Sequence, residues 1–274
     1  MAAARSARKR SPRPRRPSRV RRTSSRPARS DDSRFLHDPW AARPLPSLLF
    51  LSPVLLFYAL GLIWVRPDLG ARADLLLRQA LAPLGLTGVL APTWLVVGVL
   101  LAWHVARRDP WRAPVRLLGR MLAETLLLAV PLLVLLAVMR MAARSGSVLA
   151  LPMRSAAGGH GPDWLALAMT SIGAGIYEEL LFRLLMVGAA LGLARRILRR
   201  DSPGVRVAVI LIAAGIFAGA HTLDDPNRFA WASFLFRSAA GTYLGYVFAR
   251  RGFGVVAGVH IVFNLVVKVA PALR

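Results

Sequence analysis

The stretch Tyr177-Glu178-Glu179-Leu180-Leu181-Phe182-Arg183 lies in the middle of a long apolar run, Trp164 to Ala194. The whole chain has three glutamates, and two of them stand here side by side. A carboxylate at membrane depth costs roughly 3 kcal/mol on insertion scales, so two together need a reason to be there. On a helix, Glu179 and Arg183 are i and i+4, share one face and can form an ion pair. Glu178 is turned about 100° away from Glu179. Arg183 therefore neutralises Glu179 most easily. Glu178 is left to face something else and is the candidate general base.

The rest of the chain shows what kind of protein surrounds this pair. It has 274 residues, 55 % of them hydrophobic, and a mean hydropathy of +0.49. The apolar residues fall in blocks of about 20, the length a helix needs to cross the hydrocarbon core. These blocks are Ser47–Val65, Gly85–Ala106, Leu117–Met139, Trp164–Ala194, Val205–His221, Phe229–Ala249 and Gly252–Ala270. The fold class is therefore all-α: a polytopic transmembrane helical bundle of about seven to eight spans. The fourth block would be about 46 Å long as one straight helix. It must tilt, bend near Gly173 and Gly175, or protrude, and it leaves room for an eighth span. Ala71–Leu84 reads as a short amphipathic, interfacial segment.

Net charge is +24, with 37 basic against 13 acidic residues. Residues 1–46 form an Arg/Pro/Ser-rich tail, too polar and too like-charged to build a core, and predicted to be disordered. It suits attraction to the anionic lipids of a cytoplasmic leaflet. No aromatic or fold signal supports a specific nucleic-acid partner, and the tail is too long for the charged region of a signal peptide. The basic loops alternate with weakly charged ones, as a cytoplasmic N-terminus requires. Only Lys9 and Lys268 are lysines, and this Arg-, Ala- and Leu-rich usage points to a bacterial genome, hence to the inner membrane. The absence of cysteine excludes disulfides, thiolate nucleophiles and Cys-held metals. Residues 47–159 read as N-terminal membrane helices and 160–274 as the catalytic core.

Five histidines are present. His37, His104 and His160 read as surface or interfacial groups. His221 and His260 lie in apolar runs. Phe217 and His221 are i, i+4, as are His260 and Asn264. Within the third span Arg120 and Glu124 are also i, i+4 and are expected to pair. An unpaired carboxylate, two imidazoles and an amide in separate spans suffice to hold one water. Glu178 takes its proton, a histidine orients it, and the other imidazole with Asn264 stabilises the oxyanion. Alternatively, Glu178, His221 and His260 are ligands to a zinc ion that activates the water. No His-Glu-x-x-His helix is present. The competing classes are a non-catalytic membrane scaffold and an intramembrane Glu/His proton or ion transporter. No paired repeat with broken helices supports the transporter.

Glu178-Glu179-x-x-x-Arg183, Phe217-x-x-x-His221 and His260-x-x-x-Asn264 resemble, in order, the three motifs of the CPBP intramembrane proteases. These are bacterial relatives of the type II CAAX prenyl endopeptidases, also called the Abi family. The resemblance covers about residues 160–270. It implies a catalytic Glu178, with His221, His260 and Asn264 completing the site and Glu179 and Arg183 supporting it. The implied substrate is a peptide or a membrane protein.

Overall fold

The computed structural model describes residues 42–64, 71–144, 163–197, 199, 202–222 and 231–273. Among them every regular element is helical. Most of the tail, His37, His160, most of the 140–163 loop and the Leu223–Asn227 turn lie outside the described residues.

Helix α1 is Pro44–Trp64, α2 is Arg72–Leu81, α3 is Ala91–Arg107 and α4 is Val115–Arg144. Helix α5, Trp164–Glu179, runs without interruption through a π-helical segment, Leu180–Val187, into α6, Gly188–Arg196. Helix α7 is Pro203–Thr222 and α8 is Trp231–Asn264, followed by a second π-helical segment at Leu265–Val269. The bounds differ from the apolar blocks by a few residues. Proline at the first turns of α1 and α7 suits a position whose N–H has no helical partner. The last tail residues, Pro44-Leu45-Pro46, are thus helical and buried rather than disordered.

Among the described residues, four helical stretches are long and apolar enough to cross a membrane: Pro44–Trp64, Val115–Ala142, Pro203–His221 and Trp231–Leu273. The last is 43 residues long but is two limbs. Gly252 breaks it with φ 79° and ψ −175°, a conformation open to glycine alone. A Cβ there would stand 2.6 Å from the Ala42 Cα, so α1 enters the bundle against bare backbone. Adding the shorter α3 and the α5–α6 run gives the seven apolar stretches seen in the sequence. The protein is an integral membrane protein, and α4 shows why. Its outer face presents Leu122, Leu126, Leu127, Val130, Val134 and Val138, an apolar stripe that belongs in lipid rather than water.

The centre of the bundle is the second limb of α8. Every residue from 251 to 261 is buried, as expected of a helix apolar all round. Phe253, Ala257 and Ile261 pack against Tyr58 and Leu62 of α1 and Ile176 and Tyr177 of α5. Val255, Val256 and Val259 pack against Met121 and Leu132 of α4 and Leu244 of the first limb. The central helix carries His260, so its position fixes half of the candidate site.

Three sequence expectations change. Gly173 and Gly175 do not bend α5; they let it approach its neighbours. A Cβ on Gly175 would stand 2.4 Å from Ile261 Cγ1 and 2.8 Å from the Ile261 backbone N. The irregularity comes later, in the π-helical segment that begins just after Glu179. Second, Glu124 has a partner on another helix, Arg251, whose Nε donates to Glu124 Oε2 at 2.9 Å. The pair lies 127 residues apart, a contact between helices that helix periodicity does not reach. Third, α2 is docked into the bundle rather than lying on its surface. Asp74 is fully buried and accepts from Tyr58 Oη at 3.1 Å and Arg78 Nη2 at 2.5 Å. His104 is likewise buried, against the edge of Trp111.

Gly175→Ala should lower stability by about 1–3 kcal/mol, the usual cost of overpacking. Ile261 cannot retreat, because its own backbone is the obstacle. An unchanged melting temperature in detergent would show that the α5–α8 contact is looser than the geometry states.

Candidate active site

Three helical runs bring the site together. Glu178 and Glu179 end α5, Phe217 and His221 lie in the last turns of α7, and His260 and Asn264 end α8. Glu178, Glu179, Arg183, His260 and Asn264 are all buried. The π-helical segments start directly after Glu179 and directly after Asn264. Such wider turns change the register of a helix and occur often at functional sites.

Glu179 and Arg183 pair as their spacing predicts, with Arg183 Nη1 3.0 Å from Glu179 Oε1. The same oxygen also takes His260 Nδ1 at 2.7 Å. The sequence assigned Glu179 to Arg183 alone, but the carboxylate joins two helices. Arg183 also donates through Nη2 to the Gly241 carbonyl at 3.4 Å. Its guanidinium lies 4.6 Å from the Phe217 ring centroid, a cation–π contact that suits a buried arginine. Phe217 is therefore a hub. Its ring covers Arg183, and its carbonyl lies 2.9 Å from His221 Nδ1.

These contacts set both histidine tautomers. A carbonyl oxygen only accepts, and so does an ionised carboxylate. His221 must carry its proton on Nδ1 to bond Phe217, and His260 must do the same to bond Glu179. Each neutral ring then presents an Nε2 lone pair. Both lone-pair nitrogens face Glu178: His221 Nε2 is 3.7 Å from Oε1 and His260 Nε2 is 3.8 Å from Oε2. Neither is a direct hydrogen bond at that distance. Two acceptors face a third acceptor, so the arrangement calls for a donor or a cation between them.

Glu178, Phe217, His221, His260 and Asn264 line one cavity of about 270 Å³. Asn264 lies one helical turn after His260 on the wall beside Glu178, and its amide brings a neutral donor to the site. Arg237 of α8 and Lys268 of the second π-helical segment line the same cavity. Neither lies in one of the three spaced motifs. A signal existed: Arg237 is the lone charge within Phe229–Ala249, and Lys268 is one of two lysines.

A metal fits the donor chemistry. Zinc takes imidazole nitrogen and carboxylate oxygen, and histidine ligands ordinarily donate their other N–H to a carboxylate or a carbonyl, as both do here. The spacing is open: among the described residues no group of three or more His, Cys, Asp or Glu is closed up as a metal centre.

Residues 160–266 match the family described as type II CAAX prenyl endopeptidase Rce1-like. No curated protein and no solved structure matches the chain.

Proposed function

We propose that this chain, whose residues 160–266 match the family described as type II CAAX prenyl endopeptidase Rce1-like, is an intramembrane endopeptidase with Glu178 as its general base. The observation that carries the reading is the convergence of two Nε2 lone pairs on the Glu178 carboxylate at 3.7 and 3.8 Å, deep in the bundle.

In this reading a water bridges Glu178 and His221. Glu178 accepts one of its protons as the oxygen attacks the scissile carbonyl carbon. The His221 Nε2 lone pair accepts the other hydrogen as a hydrogen bond and so orients the attack. Negative charge then builds on the carbonyl oxygen, where the Asn264 amide N–H donates to it. The C–N bond breaks as Glu178 passes its proton to the leaving nitrogen. Glu179 holds His260 in one tautomer, with Nε2 turned to the same space. Glu178, His221 and His260 are the residues that would hold a zinc ion, which would supply Lewis acidity to the water and the carbonyl.

The family description names a CAAX prenyl endopeptidase, so an S-farnesylated peptide in detergent or liposomes is the first substrate to test. A single-span membrane protein is the second. Absence of cleavage of both by folded protein would sink the reading. Asn264→Ala should lower kcat by about 10²–10³-fold, as loss of one oxyanion donor does, with little change in KM. A drop confined to KM would make Asn264 a substrate-binding group instead. The multi-pass topology with a cytoplasmic N-terminus in a bacterial inner membrane, and binding of the basic tail to anionic lipid, belong to the same proposal.

A further inference from the structure

Among the described residues, two of the three glutamates are each held by an arginine. Glu124 is matched by Arg251 and Glu179 by Arg183. The cavity in front of Glu178 is different. One carboxylate shares it with two cationic side chains, Arg237 and Lys268. They approach from separate elements: Arg237 from the first limb of α8, and Lys268 one helical turn beyond Asn264. Arg237 is half-buried and is braced from below by Ser233 Oγ. Lys268 is exposed, at the lip of the cavity.

A half-buried cation such as Arg237, inside an apolar bundle and with only a serine hydroxyl as its hydrogen-bond partner among the described residues, is costly and marks a functional group. Glu178 does not discharge this excess, because it balances only one of the two cations and, as the base, must stay available to the water. A divalent ion at Glu178 would make the excess larger. The mismatch is therefore removed only by an anion that arrives with the ligand.

We propose that Arg237 and Lys268 form a carboxylate-binding subsite that positions the peptide relative to Glu178. This rests on the protease reading and assigns the specificity of that same site. A guanidinium takes a planar carboxylate with paired hydrogen bonds, and an ammonium at the lip adds a point charge on the route in. The anion is a carboxylate of the substrate, either its free C-terminus or an acidic side chain near the scissile bond.

The test compares three S-farnesylated peptides with purified wild-type protein: Cys-Val-Ile-Met as free acid, the same peptide as C-terminal amide, and an amide with glutamate in the last position. The wild type should prefer the free acid over the neutral amide on the order of tenfold to a hundredfold in kcat/KM, mostly through KM, as expected for a desolvated charge contact. Recovery by the glutamate amide would assign the subsite to a side-chain carboxylate; preference for the free acid alone would assign it to the C-terminus. In Arg237→Gln and in Lys268→Met the ratio of acid to amide should fall toward one, and Arg237→Lys should retain part of it. Lys268 is exposed, so its variant keeps the test open should Arg237→Gln misfold. Wild-type protein that cleaves acid and amide equally would overturn the subsite alone, as would variants that slow both peptides by the same factor. Wild-type protein that cleaves no peptide would overturn the protease reading and the subsite with it.

Discussion

Glu178→Gln removes peptide cleavage and leaves a folded protein. The amide matches the carboxylate in shape, so packing around the α5 terminus is kept. It cannot take a proton from water, and a general base is worth about 10²–10⁴-fold. The amide nitrogen can also donate to an imidazole Nε2, closing the space that the water would occupy. Stability should change little. Among the described residues the two histidines are the groups within ion-pair distance of Glu178, so no buried arginine or lysine loses an ion-pair partner. Activity is read on the farnesylated peptide and folding by the melting temperature in the same detergent. A folded variant that cleaves at the wild-type rate would place the base elsewhere. Metal content, measured on the wild type and on His260→Ala, separates the two forms of the site. Zinc that disappears with His260 places a metal among these ligands, and active metal-free protein assigns the chemistry to the carboxylate and its water.

What the sequence revealed of this site follows from the reach of helical periodicity. Glu179 with Arg183, Phe217 with His221, and His260 with Asn264 are each one turn apart, so a single helix suffices to place them together. The apolar blocks announced the all-α bundle for the same reason, since span length depends only on composition along the chain. Contacts between helices carried no such signal. Glu124 finds Arg251 across 127 residues, a contact that spacing along one helix does not predict. Glu179 was assigned one partner because its second, His260, lies 81 residues away. The π-helical segments were invisible too. An extra residue in a turn leaves no compositional mark, and Leu180–Val187 reads as ordinary apolar helix. Gly252 appeared only as the first residue of the last apolar block, and its positive φ is what separates the outer limb of α8 from the central one. Arg237 and Lys268 were legible as isolated charges, but only the fold aims both at Glu178.

Glu179→Gln should be the most destabilising change in the site, although it removes no atom of bulk. Glu179 is fully buried and Arg183 nearly so. Taking the charge from one partner of a buried pair leaves the other uncompensated, at about 3–5 kcal/mol. The Gly241 carbonyl and the Phe217 ring soften this loss without replacing the charge. Adding Arg183→Met should recover much of the stability, because the stranded cation is then gone. Activity should not return with it. His260 would still lack the carboxylate that fixes its proton on Nδ1, and the ring could place its proton on Nε2, toward Glu178. Loss of such a supporting partner typically costs about 10–100-fold in activity. The double variant therefore separates the two duties of one side chain: stability follows Arg183, and activity follows His260. A stable, fully active Glu179→Gln protein would refute both. A double variant restored in activity as well as stability would show that Glu179 serves Arg183 alone, and that the 2.7 Å contact to His260 does not position the ring.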